Sequence, residues 1–388
     1  MAVNEREKAV LDWLAGRKDA MVSLLEAIVN IDSGSYNKAG VDEVGKVIQA
    51  HLKDHDIPVE VMPDDTYGDC FTGTVAAETP GANRHILLMG HRDTVFPDGT
   101  VAERPFRVDG DLAYGPGVAD MKGGLVLNTF VLEAFKACGG APAPLVGLYT
   151  SDEEIASPSS RPVIEGQARN AMAVFNSEPG RASGNLVVAR SGACFFEFEV
   201  TGIPAHSGSR HQDGASAIEE LARKIQKLHA LTDYDAGLTV NVGLIRGGNS
   251  VNTVAPWARA EVDLRCRDMA VMDAALPKVD AVLAETGLKG TTTRKTRERR
   301  FLPLSQDDAA KGLFEKYRGV AGELGWKVGG ERTGGSADSG FTAAVGAPTV
   351  CATGPVGGKG HSPDEYLELD TLVPRAQAMA LTIMRLQA

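Results

Sequence analysis

The sequence predicts an α/β fold. An open, mostly parallel sheet carries helices on both faces, and a smaller α+β domain with an antiparallel sheet is inserted into it. Two observations predict the main sheet: four short runs are almost wholly apolar, and helical patterns lie between or after them. A third predicts the insertion, because strands in the middle of the chain alternate apolar and polar residues.

Apolar spacing locates the elements of the main domain. The segment Glu5–Ile31 has helical spacing, and Val41–Leu52 places its apolar residues on one face of a second helix. The apolar runs predicted to be buried strands are His85–Met89, Leu145–Tyr149, Ala171–Phe175 and Pro348–Ala352. The later helical patterns are Met121–Ala137, Ala309–Leu324 and Thr371–Leu386.

The middle of the chain has the period of half-exposed strands. Cys194–Gly202 and Trp257–Arg267 both largely alternate, and one face of the second run is apolar. A helix near Ala215–Leu231 could cover that face. We therefore predict that residues 1–190 and 303–388 form the main domain and that residues 191–302 form the inserted one.

Charge and composition exclude several classes of function. The 388 residues contain 40 Lys and Arg against 51 Asp and Glu, a formal charge of −11, which disfavours nucleic acid and anionic membrane surfaces as partners. No apolar run approaches the roughly 20 residues of a membrane span. The N-terminus lacks the apolar core of a secretory signal, and the five cysteines form no CxxC pair. We expect a cytoplasmic protein.

Common catalytic and cofactor motifs are absent from the sequence. The Gly115–Gly117 turn has Asp120 where a dinucleotide-binding GxGxxG motif would need its third glycine. There is no phosphate-binding loop of the Walker type, no HExxH and no GxSxG. Unpaired cysteine spacing also argues against a cysteine-rich zinc site.

Histidine and carboxylate residues follow the predicted strands instead. Ligands of open α/β sheets bind outside the carboxyl ends of the strands, so these side chains should meet at one edge. Four strands deliver His91, Glu153 with Glu154, Glu178 and His361, and a glycine-rich turn that opens a helix adds Asp120.

Imidazole and carboxylate ligands without thiolate suit Zn²⁺, and also Co²⁺ or Mn²⁺. The set exceeds what one tetrahedral ion needs, so a carboxylate shared between two ions would account for the surplus. Asp93, two residues after His91 on extended chain, could hold the histidine ring from behind.

Each residue also has an ordinary structural interpretation. His91 or His361 alone could be a hydrogen-bonded structural residue, and the Glu153–Glu154 pair could be a solvated turn. Glu178 could cap the turn before a proline, and Asp120 could be a helix N-cap. Only their shared position at strand ends favours a metal centre.

The motifs around these residues resemble those of the glutamate carboxypeptidase family of dizinc exopeptidases, which includes aminoacylases and succinyl-diaminopimelate desuccinylase. They stand in the family's order along nearly the whole chain. The matching segments are GHRDTV (90–95), PFRVDGDLAYGPGVADMKGG (105–124), TSDEE (150–154), SEP (177–179), GIPAHSG (202–208), ERTGGSAD (331–338) and GHSPDEY (360–366).

The resemblance implies a role for each residue of the metal centre. Asp120 would bridge two Zn²⁺ ions per subunit and would be followed by a cis peptide bond to Met121. One ion would be completed by His91 and Glu178, and the other by Glu154 and His361. Asp93 would orient His91, and Glu153 would be the general base.

The resemblance also assigns roles in the inserted domain, which would be a lid and dimerisation domain. His206 would polarise the scissile carbonyl in the partner subunit of a homodimer. Asn252 and Arg265 would bind the substrate carboxylate, and the loop at Gly335 would line the same pocket. For Arg265 a surface ion pair with Asp263 or Glu261 is the alternative.

We therefore predict a cocatalytic dizinc metallopeptidase, carboxypeptidase-like, that releases a C-terminal amino acid, with acidic residues as candidates, from a small peptide or N-acyl amino acid. Glu153 would activate a metal-bound hydroxide. The alternatives are an N-acyl amino-acid deacylase, an amidohydrolase acting on a non-peptide amide, a catalytically silent metal-binding relative and a two-metal phosphoesterase.

Overall fold

The computed structural model describes residues 3–79 and 81–386. By its internal contacts the chain divides into two units. The first unit comprises Met1–Ala189, Ser305–Arg332 and Phe341–Ala388, and the second comprises Arg190–Leu304 and Thr333–Gly340.

The second unit differs from the predicted insertion by the segment Thr333–Gly340, which the sequence prediction left in the main domain. Hydrogen bonds explain the difference. The Ser191 N–H donates to the Thr333 carbonyl at 3.1 Å, and Ser336 Oγ donates to the Ser191 carbonyl at 2.8 Å. This segment therefore belongs with the strand that opens the second unit.

Eleven α-helices form among the described residues: α1 Glu5–Ala15, α2 Lys18–Val29, α3 Lys38–Asp54, α4 Thr100–Glu103, α5 Gly123–Ala137, α6 Ser160–Ala168, α7 Ala217–His229, α8 Met269–Ala284, α9 Asp308–Glu323, α10 Ser339–Ala344 and α11 Leu372–Met384.

Sixteen strands accompany the helices in the same part of the chain: β1 Val59–Met62, β2 Cys70–Val75, β3 His85–His91, β4 Arg107–Asp109, β5 Leu112–Tyr114, β6 Leu145–Thr150, β7 Ala171–Asn176, β8 Leu186–Arg190, β9 Gly192–Thr201, β10 Leu238–Gly247, β11 Trp257–Cys266, β12 Thr292–Phe301, β13 Gly330–Thr333, β14 Thr349–Cys351, β15 Gly357–Gly358 and β16 Tyr366–Glu368.

The main sheet has the strand order β1-β2-β6-β3-β7-β14-β8-β13. Its centre is parallel, because β6, β3, β7 and β14 pair in the same direction, while β2 and β8 pair antiparallel to that centre. Every residue of β6 is buried, so both faces of the sheet are covered, as the apolar run predicted. The predicted α/β class with a separate antiparallel sheet is confirmed.

The N-terminal helical segment was predicted as one helix and is two. The α1 helix begins at an Asn4 cap, whose side chain accepts the Glu7 N–H, while the Glu7 carboxylate accepts the Asn4 N–H. It ends at Gly16, and α2 starts again at Lys18. The low helix propensity of glycine accounts for this break. The apolar pattern nevertheless continues across it.

The second unit is built on an antiparallel sheet of order β10-β11-β9-β12. Along β11 the buried and half-buried residues alternate, as predicted. The predicted helix is α7, and it packs with α8 on the apolar face of that sheet, where Phe196, Phe198, Val262 and Leu264 form part of the core. A smaller third sheet, β15-β16-β5-β4, lies in the first unit.

No helix among residues 3–79 and 81–386 is both long enough and apolar enough to cross a membrane.

An ion pair links Glu7, near the start of the first unit, to Arg385, near its end. Arg385 Nε donates to Glu7 Oε1 at 2.8 Å, and the Glu7 side chain is 7% exposed. Hydrogen bonding from Arg385 lowers the pKa of Glu7 below its ordinary value against the opposing effect of burial. The pair therefore stabilises the fold above the pKa of Glu7 in the unfolded chain.

Replacing Glu7 with Gln should lower the free energy of unfolding by about 1–2 kcal/mol at pH 7. The difference from wild type should shrink as the pH falls through the lowered pKa of Glu7, because protonation removes the same charge. Urea unfolding at pH 7 and at a series of pH values below the ordinary pKa of a glutamate measures this. Glu5→Gln, at an exposed carboxylate of the same helix, is the control, and a difference independent of pH would contradict the prediction.

Candidate metal centre

The ends of the central strands hold the candidate ligands. His91 is the last residue of β3, Glu153 and Glu154 open a short 3₁₀ turn after β6, and Glu178 lies two residues beyond β7. His361 lies between β15 and β16, past β14. Because β6, β3 and β7 are neighbours in parallel register, their carboxyl ends bring these side chains to one edge.

Asp120 lies in an irregular helical turn, Val118–Lys122, directly before α5, rather than at the N-cap of that helix. Its Oδ1 is 3.3 Å from His91 Nε2, and its Oδ2 is 3.3 Å from His361 Nε2. One carboxylate thus faces two imidazoles, each with a different oxygen. The Asp120–Met121 peptide bond is cis, as the resemblance predicted.

Glutamates complete a group around each imidazole. Glu154 Oε2 lies 3.2 Å from His361 Nε2, and Glu178 Oε1 lies 3.8 Å from His91 Nε2. Glu153 Oε2 is 3.9 Å from His91 Nε2, and its ligand atoms lie within 4.8 Å of those of His91 and Glu178. The geometry therefore permits Glu153 either a ligand role or a base role.

Asp93 is completely buried and touches three parts of the centre. Its Oδ1 lies 3.3 Å from His91 Nδ1 and accepts the Glu153 N–H at 3.0 Å. Its Oδ2 accepts the Glu154 N–H at 3.1 Å and the Ser35 hydroxyl at 2.6 Å. Burial raises the pKa of Asp93, but hydrogen bonding and charge from His91, with the Ser35 and Glu154 donors, outweigh it and lower the pKa overall.

Sequence reasoning missed Glu365, although it lies within the GHSPDEY segment. Its carboxylate accepts the N–H groups of Ala119 and Asp120, each at 2.9 Å, and that of Gly117 at 3.1 Å. Burial raises the pKa of Glu365 to about 7. Three donors from one turn fix the backbone that presents Asp120, so Glu365 positions the carboxylate shared by the two imidazoles.

The pKa values of the centre are shifted by the close approach of imidazoles and carboxylates. Hydrogen bonds to Asp120 and Glu154 raise the pKa of His361 to about 10. Burial, with the nearby Asp120 charge, raises the pKa of Glu154 to about 7. Asp120 itself has a lowered pKa, because the adjacent imidazoles of His361 and His91 outweigh the effect of burial. The group thus stabilises positive charge at its centre.

The residues present fit divalent metal ions. His91 Nε2 and Glu154 Oε1 are fully buried and have no hydrogen-bond partner among the described residues, which is costly unless a cation binds them. Each faces the shared Asp120 group, and the ligand atoms of His91, Asp120 and Glu154 lie within 4.8 Å of one another. Imidazole and carboxylate donors suit Zn²⁺, Co²⁺ and Mn²⁺.

The second unit brings His206 and Asn252 together. The Ser207 N–H donates to the Asn252 carbonyl at 3.0 Å, and His206 pairs with Thr253 in an isolated bridge. The exposed His206 ring accepts the Gly208 N–H at Nδ1, at 3.1 Å. An accepting Nδ1 means that a neutral His206 ring carries its proton on Nε2.

Arg265 also lies in the second unit, beside the loop that contains Gly335. Its Nη1 donates to Ser336 Oγ at 3.2 Å, while its Nε donates to Asp263 Oδ1 at 2.7 Å. This ion pair with Asp263 is the alternative to a substrate-binding role that the sequence left open for Arg265. The guanidinium also stacks over Phe195, 4.9 Å from the ring centroid, so the side chain is held on the half-exposed face of β11.

The profile of Peptidase family M20/M25/M40 matches residues 87–385. Carboxypeptidase G2 of Pseudomonas sp. (strain RS-16) is 28% identical over 393 aligned residues, which cover 99% of this chain and 93% of that protein. An acetylornithine deacetylase of Myxococcus xanthus is 37% identical over 205 residues, covering 48% of this chain and 50% of the relative.

Solved structures share the fold. An M20 family metallo-carboxypeptidase from Sulfolobus solfataricus superposes with a TM-score of 0.75 at 16% identity and covers 94% of this chain and 99% of its own. A Bacillus cereus aminopeptidase superposes with a TM-score of 0.71 at 22% identity, over 95% of this chain and 98% of its own.

Replacing Asp93 with Asn should weaken metal binding by about 10–100-fold, because the charge that orients His91 and both glutamates is lost. Competition with a chelating dye measures the affinity for Zn²⁺. Asp98→Asn, at an exposed carboxylate of the same loop, is the matched control. Equal affinities in the two variants would show that Asp93 does not position the ligands.

Proposed function

Because this chain belongs to peptidase family M20/M25/M40 and is therefore a metal-dependent hydrolase, we propose that it releases a C-terminal amino acid from a peptide or N-acyl amino acid. The observation that carries the proposal is Asp120, whose two oxygens face two imidazoles with Glu153 beside them. Similarity to carboxypeptidase G2 over nearly the whole chain supports the C-terminal amino acid as the product released from the amide.

Asp120 would be shared by two divalent ions, Zn²⁺ or else Co²⁺ or Mn²⁺. His91 and Glu178 would hold one, and Glu154 and His361 the other. Such ions lower the pKa of water and polarise an amide carbonyl. Their binding requires neutral imidazoles, so protons leave His91 and His361 as the ions bind.

Glu153 would act as the general base. Its side chain is 9% exposed, beside His91, and its backbone N–H is held by Asp93. It would take one proton from the attacking water and give it to the amine nitrogen as the C–N bond breaks, so that acid and amine are released together.

The inserted unit would recognise the substrate. A neutral His206 ring keeps its proton on Nε2, where it could donate a hydrogen bond to the carbonyl oxygen as negative charge develops. We propose that His206 does this in the partner subunit of a homodimer. Arg265 and Asn252, with the loop at Gly335, would bind the carboxylate of the departing amino acid.

The five cysteines are free in the described chain, in accord with the proposed cytoplasmic location.

Glu153→Gln and Glu154→Gln form a matched pair that separates a base from a ligand. Glu153→Gln should keep its metal content and lose turnover by about 10²–10⁴-fold, whereas Glu154→Gln should lose metal. Elemental analysis and hydrolysis of an N-acyl glutamate measure the two effects. If Glu153→Gln lost an ion, Glu153 would be a ligand, and if it kept full turnover, the mechanism would be wrong.

Mixing His206→Ala with Glu153→Gln protein tests the action in trans. A mixed dimer would contain one site with Glu153 from one chain and His206 from its partner, so random exchange should restore about a quarter of wild-type activity. Subunit exchange is verified with two differently tagged chains. No recovery after verified exchange would show that His206 acts within its own chain.

The choice of substrate has a second candidate. The acetylornithine deacetylase of Myxococcus xanthus favours an N-acyl amino-acid deacylase as the alternative. Assaying a dipeptide, an N-acyl glutamate, an N-acetylated basic amino acid and an aryl phosphate against one preparation distinguishes the candidates. Arg265→Ala should raise KM for substrates with a free carboxylate and leave their kcat less affected.

A further inference from the structure

A second cluster of potential metal ligands lies on helices α3 and α5. His51 and His55 are four residues apart, at the end of α3, and Glu133 comes from the interior of α5. Ligand atoms of all three lie within 4.8 Å of one another. Glu133 is ten residues into α5 from Gly123, about 15 Å along the helix. The cluster therefore shares no residue with the metal centre at the strand ends.

The donor atoms of the cluster face each other closely. His51 Nε2 is 2.5 Å from Glu133 Oε1, and His55 Nε2 is 3.5 Å from Glu133 Oε2. His51 Nε2 and Glu133 Oε1 are fully buried, and neither has a hydrogen bond of normal geometry among the described residues. The Glu133 side chain is only 2% exposed. A buried carboxylate is costly unless a cation lies against it, either a protonated imidazole or a metal ion.

The tautomer of His55 points its lone pair at the cluster. Its Nδ1 lies 2.8 Å from the His51 carbonyl oxygen, which can only accept a hydrogen bond. The Nδ1 atom must therefore carry a proton, and a neutral ring presents the unprotonated Nε2 towards Glu133. Metal-binding histidines commonly donate their other ring N–H to a backbone carbonyl. Histidines spaced i, i+4 share one helix face, so both rings reach the same point.

We propose that His51, His55 and Glu133 bind one divalent transition-metal ion, Zn²⁺ or a similar borderline ion, that joins α3 to α5. Two imidazoles and one carboxylate supply three ligands of a tetrahedral site and leave the fourth to water. His55 is 44% exposed and offers access from solvent, while Glu133 anchors the ion to the core. The site stabilises the first unit and uses none of the residues proposed for catalysis.

Counting bound ions tests the proposal on the full chain. Wild type, His55→Gln and Glu133→Gln are equilibrated with Zn²⁺ alone, desalted and analysed for zinc. His211→Gln, at an exposed imidazole of the second unit, is the matched control. Wild type and His211→Gln should each hold one ion more per chain than the two cluster variants, and affinity for that ion should fall at least about 100-fold in the variants. Hydrolytic activity should be equal in wild type, His55→Gln and His211→Gln.

The same count in an Asp120→Asn background separates this site from the catalytic ions. That background should retain the cluster's ion, and adding His55→Gln should remove it. Zn²⁺ should raise the thermal midpoint of Asp120→Asn, and the rise should disappear with His55→Gln, as expected when a ligand binds only the folded chain. Equal zinc counts with and without His55 and Glu133 would overturn the proposal and identify the cluster as an ion pair of protonated histidines.

Discussion

The buried carboxylate of Asp93 is the constraint on which the metal centre depends. It is inaccessible to solvent, yet four groups from three parts of the chain converge on it: the His91 ring, the Glu153 and Glu154 N–H groups and the Ser35 hydroxyl. Burying a charge is expensive unless hydrogen bonds replace the lost water. Because those bonds come from the segments that carry His91 and the two glutamates, satisfying Asp93 fixes the ligands at the same time.

The order of the strands explains why a few hydrogen bonds are enough to position the candidate metal ligands. Strands β6, β3 and β7 are neighbours in the parallel centre of the sheet, so the loops after them start side by side. Asp120 comes from outside this set and therefore needs its own support. Glu365 provides it by accepting three N–H groups from the turn. Two buried carboxylates, Asp93 and Glu365, thus position the candidate metal ligands.

Sequence patterns recover the features whose causes are local. The four buried strands were predicted, because a strand covered on both faces is almost wholly apolar. The structure places the strand-end residues close together, and the alternation of β11 is already present in the sequence. The break at Gly16 was missed because the apolar pattern runs across it, and α6, α8 and the edge strands were not predicted.

Features that depend on partners distant in sequence could not be predicted in this way. Glu365 looks like any acidic residue until the turn at Gly117–Asp120 folds against it. His51 and His55 have metal-ligand spacing, but Glu133 lies about 80 positions away within an apolar helix and gives no local signal. The segment Thr333–Gly340 joins the second unit through hydrogen bonds to Ser191 that its glycine-rich sequence does not encode.

The candidate metal ligands and the candidate substrate-binding residues lie in different units of the chain. Every candidate metal ligand, and both carboxylates that position them, belongs to the first unit, whereas His206, Asn252, Arg265 and Gly335 belong to the second. Metal affinity would therefore depend on contacts within one core, and the proposed substrate recognition would depend on contacts within another. On the proposed function, substitutions on the half-exposed face of β11, where Arg265 pairs with Asp263, would alter substrate recognition without disturbing the buried network around Asp93.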